Sequence, residues 1–196
     1  MCGIIGILGR SDVSERILEG LSLLEYRGYD SAGLALIEPD GRVGLRRSVG
    51  KLSELRAAVD IAPITGHAGI GHTRWATHGA AIEANAHPHQ TRNVTLVHNG
   101  IIENYAEIKS ELERDGVRFS SETDTEVAAH YFEKCLKTSS TLDAAWDKLL
   151  KRIVGSYAFA AVFSGYPDLI FAARQGSPLA IGYGAPEEDG TSDMFL

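Results

Sequence analysis

The stretch CGIIGILG (residues 2–9) decides how the rest of the chain reads. It is an apolar run directly behind Met1, closed by Gly9 and Arg10, and it holds one of the chain's two cysteines. Short, apolar on both faces and rich in isoleucine, it reads as a buried strand. It lacks the basic n-region and small-residue cleavage site of a signal peptide, and the glycine that N-myristoylation needs in second place stands third. Two readings of Cys2 stay open at this point. It is either a packing residue of a first strand, or a thiol placed for chemistry beside the α-amine that removal of Met1 would expose.

Outward from that strand, residues 11–28 carry a helical pattern. Val13, Ile17, Leu21 and Leu24 share one face, Asp12 with Glu15 offers a capping box, and Gly28 is a stop. Strand patterns follow in SAGLALI (31–37), RVGLRRS (42–48), AGIGHTRW (68–75) and NVTLVHN (93–99), and the Asn99–Gly100 pair signals a tight turn. Three helical patterns come next: residues 105–115 behind Asn104 as a cap, 125–137, and 142–154 ended by Gly155. The chain returns to strands in SYAFAAVF (156–163), DLIFAAR (168–174) and PLAIGYG (178–184). Strands, clustered helices, then strands again predict an α+β fold with helices outside largely antiparallel sheets. The glycines of the first strand read GxxGxxG, not the GxGxxG of a dinucleotide site, and no phosphate loop ending in Gly-Lys-Ser/Thr is present.

Composition narrows the function classes. With 196 residues and 44% hydrophobic composition the chain can bury one core. No stretch approaches the roughly 18 apolar residues of a membrane span. A net charge of −7 argues against a nucleic-acid partner and fits a small polar substrate better. Two cysteines point to free thiols and a cytoplasmic setting. Cys135 falls on a helical stripe with Val127, Tyr131 and Phe132 and reads as a packing residue.

The polar groups cluster mid-chain: His67, His72, Arg74, Trp75, Thr77 and His78, then His87 and His89. The histidine spacings match no zinc pattern, so neither a metal nor a cofactor is expected. Strand alternation places Ile70, His72 and Arg74 on one face. An arginine fork there can grip a carboxylate while Trp75 shields the pair. The Asn99 amide and the Gly100 N–H can serve as an oxyanion's donor pair as well as a turn. Asp124, near a helix N-terminus, either caps that helix or meets a substrate ammonium. Together these groups describe a receptor for a zwitterion, and Cys2 adds a nucleophile; that is acyl transfer on an amino-acid amide.

Five ordered motifs carry a resemblance: CGIIGILG, LEYRGYDSAG (24–33), GHTRWATHG (71–79), HNGIIENY (98–105) and SETDTEV (121–127). With RQGSPLAIGYG (174–184) they resemble the glutaminase domain of the glutamine:fructose-6-phosphate aminotransferase family. These are class II glutamine amidotransferases of the N-terminal-nucleophile hydrolase superfamily. The resemblance implies a four-layer αββα sandwich, with Cys2 as nucleophile and Asn99 and Gly100 as oxyanion donors. Arg74 and Asp124 would hold the α-carboxylate and α-amine of L-glutamine. Trp75, Thr77 and His78 would line the pocket, Arg27 would stand close to the nucleophile, and His72 and His87 would support the site.

The implied domain covers residues 1–196 and is expected to be truncated at its C-terminus; the sugar-isomerase domains that bind fructose 6-phosphate in the longer homo-oligomeric enzyme are not in this sequence. The expected reaction releases glutamate and ammonia through a thioester. The alternatives are a catalytically silent glutamine-binding module or the glutaminase domain of another class II amidotransferase.

Overall fold

The computed structural model describes residues 2–75, 79–186 and 192–196. Met1, Thr77 and His78 lie outside the described residues. The apolar run at the start forms strand β1 (Gly3–Leu8), followed by helix α1 (Ser14–Leu24) and a single 3-10 turn over Glu25–Arg27. Strands β2 (Ser31–Ile37) and β3 (Val43–Val49) form an antiparallel pair; helix α2 (Leu52–Ile61) and strand β4 (Ala68–Arg74) come next. Short β5 (His89–Gln90) and long β6 (Val94–Ile102) precede three helices, α3 (Tyr105–Arg114), α4 (Asp124–Lys137) and α5 (Leu142–Arg152). The chain closes with β7 (Gly155–Phe163), β8 (Phe171–Gln175), β9 (Gly182–Tyr183) and β10 (Met194–Phe195).

Two antiparallel sheets result, one ordered β3-β2-β4-β1-β10-β9 and the other β5-β6-β7-β8. Alternation along each strand sorts the side chains into three cores. On β2, Ala32, Leu34 and Leu36 pack with Ile17, Leu18 and Leu21 of α1 and Leu55 of α2, whereas Ala35 and Ile37 join Ala68, Ile70, Val97, Ala160 and Val162 between the sheets. On the far side, Tyr157, Phe159, Ala161 and Phe163 of β7 meet Phe132, Trp146 and Leu149 of α4 and α5. The layers therefore run helix, sheet, sheet, helix: the αββα sandwich.

Helix α2 lies in a segment given no element above, and two cap readings need correction. Helix α2 carries Leu52, Leu55 and Val59 on its buried face, but its first turn is capped by a distant group: the Leu52 N–H donates to Glu25 Oε1 at 2.9 Å. The Asp12 carboxylate forms no capping box; it accepts from the Ser14 hydroxyl and, at 2.8 Å, from the Gly66 N–H, tying the start of α1 to the loop before β4. Asn104 precedes α3 without a side-chain cap bond and instead donates to the Arg152 carbonyl and accepts from the Val154 N–H.

Candidate active site

Cys2 stands just ahead of β1, and the register Gly3↔Thr73 sets it beside the end of β4. The Trp75 N–H donates to Cys2 Sγ at 3.2 Å, and the thiol lies 3.6 Å from the Trp75 carbonyl oxygen as a donor. Two side chains converge on the Cys2 carbonyl oxygen: Arg27 Nε at 3.2 Å and Asn99 Nδ2 at 3.1 Å. Burial pushes the Cys2 thiol above its ordinary pKa, opposed by the Trp75 N–H and the Arg74 charge and reinforced by Asp30. At rest this sulfur is a thiol.

Arg74 ends β4 and is only 4% exposed. Its guanidinium donates to the carbonyls of Ala80 and Gly79 at 3.2 and 3.3 Å and lies 3.6 Å from Asp30 Oδ1. Gly28 lets the chain after the 3-10 turn pass close to the end of β4, because a Cβ there would stand 2.6 Å from the Arg74 carbonyl carbon. Asn85, fully buried, ties the Ala80 loop to the segment before α4: it donates to the Ala80 carbonyl and Glu122 Oε2 and accepts from the Glu122 N–H. Thr123 caps α4, so Asp124 is that helix's first residue. Its Oδ2 accepts from the Ile102 N–H at 2.9 Å, which binds it to the end of the strand carrying Asn99 and Gly100. Trp75 is half exposed, edge-to-face with Tyr29 at 5.3 Å between ring centroids.

Asn99 and Gly100 do not form the tight turn their identity signals. They lie inside β6, opposite Ala158 and Tyr157 of β7. Gly100 has φ +142°, and a Cβ there would stand 2.0 Å from the Ser156 carbonyl oxygen, so glycine serves close strand contact rather than chain reversal. Direct bonds thus bring together Cys2, Arg27, Trp75 and Asn99. Gly100 follows in sequence, Arg74 acts on the thiol through its charge, and Asp124 is joined through Ile102.

Behind the site lie four buried histidines, His72, His87, His89 and His98. The rings of His72 and His87 stack at 4.2 Å. Thr125 Oγ1 lies 2.8 Å from His87 Nε2 and 3.0 Å from His98 Nδ1, and His89 Nε2 lies 2.8 Å from Thr123 Oγ1. The roles of His89 and His98 were not signalled by spacing, because their partners sit on α4 and its cap. Among the described residues no group of three or more His, Cys, Asp or Glu is placed to hold a metal ion.

Burial lowers the pKa of His72 and of His89 to about 3 and drives His87 well below its usual value. These rings stay neutral in the folded protein but take protons once exposed. Below the unfolded pKa near 6.5 the unfolded chain binds more protons, so stability rises with pH from about 3 to about 6.5 and levels off above, by up to about 1.4 kcal/mol per unit for each ring. Thermal melts from pH 7 down to pH 5 should show a falling midpoint, and His89→Gln should flatten that fall. Glu126 adds nothing between pH 5 and pH 7. Burial alone would raise its pKa, but bonds from His130, Ser121 and Ser120 hold it well below the carboxylate range, so its contribution is lost only below about pH 4.3.

Residues 72–185 match the model of a glutamine amidotransferase domain. The chain is 54% identical over 187 residues to the glutamine–fructose-6-phosphate aminotransferase [isomerizing] of Bradyrhizobium diazoefficiens, covering 95% of this chain and 31% of that protein. It is 51% identical over 195 residues to the protein of the same name from Zymomonas mobilis, covering 100% of this chain and 32% of that one. The chain therefore spans about a third of the length of these curated relatives. In three dimensions it is similar to the B. subtilis glutamine phosphoribosylpyrophosphate amidotransferase complexed with ADP and GMP, with a TM-score of 0.78, 25% identity, and coverage of 100% of this chain and 41% of that one.

Proposed function

Because this chain belongs to the glutamine amidotransferase family, we propose that residues 1–196 form a glutaminase domain that hydrolyses the side-chain amide of L-glutamine through a thioester on Cys2. The observation that carries this reading is the convergence on one residue at the head of β1: an N–H on its sulfur and the Asn99 amide 3.1 Å from its carbonyl oxygen.

With Met1 removed, the α-amine of Cys2 takes the thiol proton, its reference pKa of about 7.7 to 8.0 suiting the task near neutral pH. The thiolate attacks the carboxamide carbon, and the resulting oxyanion is held by the Asn99 amide and the Gly100 N–H. Collapse expels ammonia, which carries away the proton from the amine and leaves a γ-glutamyl thioester; water then releases glutamate and restores the thiol. Arg74 grips the α-carboxylate, Asp124 meets the α-ammonium, and Trp75, Thr77 and His78 wall the pocket. Arg27 holds the Cys2 backbone still. In a longer protein of the relatives' kind, the ammonia would aminate fructose 6-phosphate.

The test is ammonia and glutamate release from glutamine by protein whose intact mass shows Met1 removed. Glutamine binding without release would favour a silent binding module instead. Arg74→Ala should chiefly raise KM, weakening kcat/KM by about 2 to 4 kcal/mol, because a shielded fork-to-carboxylate contact exists in both ground and transition states. An unchanged KM in steady-state kinetics would remove Arg74 from the carboxylate site.

A further inference from the structure

An amide side chain can sit either way round, and only one way presents its NH2 to an oxyanion. Around Asn99 the neighbours decide. On one side is the Cys2 carbonyl oxygen, which only accepts, so Nδ2 must face it, as it does at 3.1 Å. On the other side is His72 Nε2, 2.9 Å from Asn99 Oδ1 and 3.1 Å from the His98 carbonyl oxygen. Both of those oxygens also only accept, so the proton between them belongs to His72 Nε2. We propose that His72 is the positioning residue that locks the Asn99 amide with its NH2 toward Cys2, through an Nε2–H donated to Oδ1. The proposal rests on the oxyanion role given to Asn99 above.

The surroundings hold the ring in that state. His72 lies on the inter-sheet face of β4 and is fully buried. Its ring stacks on His87, itself anchored by Thr125 Oγ1 at 2.8 Å. His72 Nδ1 is buried and makes no hydrogen bond, which suits a bare lone pair and not an N–H. Burial also lowers the His72 pKa to about 3, so the ring carries a single proton at working pH. The opposite tautomer would strand an N–H at Nδ1 and set the Nε2 lone pair against two oxygens. The lock spans the two sheets, from β4 in one to β6 in the other.

The test compares His72→Leu, His72→Gln and His72→Asn with the parent and with Asn99→Ala, each checked by thermal melting. Glutamine's terminal NH2 reaches about as far as a histidine Nε2, whereas asparagine stops a methylene short. His72→Leu and His72→Asn should each lower kcat roughly tenfold or more with KM for glutamine little changed, since losing an oxyanion donor outright costs about 100- to 1000-fold. His72→Gln should recover most of the loss. In an Asn99→Ala background, His72→Leu should lower kcat no further.

If kcat falls equally in both backgrounds, or Gln and Asn behave alike, His72 only packs the core and the proposal is overturned. The Gln and Asn pair keeps the test open should the leucine variant fail to fold. A parent that releases no ammonia sinks the glutaminase reading, and an active parent with a fully active Asn99→Ala sinks the oxyanion assignment; each takes the positioning role with it. An active parent with a damaged Asn99→Ala and a fully active His72→Leu overturns the positioning role alone.

Discussion

Cys2→Ser protein is expected to bind glutamine normally and to turn it over at least about a thousandfold more slowly, as for loss of a covalent nucleophile elsewhere. The geometry survives the exchange. The Trp75 N–H can donate to a hydroxyl as it does to Sγ, and the bonds from Arg27 and Asn99 go to the backbone carbonyl. What is lost is acidity: an α-amine of pKa near 8 can share a thiol's proton but barely a hydroxyl's. Cys135→Ser is the control. That thiol is buried on α4, in the core of the helical layer behind the second sheet, and its replacement should leave turnover largely intact. Steady-state ammonia release together with calorimetric glutamine binding checks both. A thiol-directed glutamine analogue should add its mass to the peptide beginning at Cys2, and equal behaviour of the two serine variants would disprove the assignment.

Asn99→Ala should lower kcat about a hundredfold or more while barely moving KM, because on the proposed mechanism its amide meets charge that exists only after attack. Asn99 sits within paired strand, opposite Ala158, so the substitution removes an amide without undoing a reversal of the chain. Thermal melting should accordingly shift little. A variant with normal kcat and weak glutamine binding would assign the amide to ground-state recognition instead.

Much of the molecule was legible from period and order. SAGLALI reads as a strand, as β2 is, and alternation in IGHTRW put His72 and Arg74 on the same side of β4. Misreadings came where a local signal was used for a distant purpose. Asn-Gly signals a turn, but Gly100 spends its positive φ on contact with Ser156. Asn104 looks like a cap, but its amide closes the end of α5. Helix α2 went unassigned, and its cap is not local: Glu25, 27 positions upstream, supplies it. His72 could be placed on a face, but its partner Asn99 belongs to the other sheet, and no spacing within one segment encodes that meeting.

Cys2 leads into one sheet and Asn99 lies on the other, and the seam between the sheets is packed by Ala35, Ile37, Ala68, Ile70, Val97, Ala160 and Val162. Such a layer fixes the gap between the sheets as a spacer shim fixes a bearing clearance. One added or removed methylene there changes the clearance itself, since interiors this dense cannot absorb volume silently. The two faces of the sandwich thus act as the jaws of a caliper whose reading is the distance from thiol to amide. On the proposed mechanism, turnover would report how the two sheets are stacked.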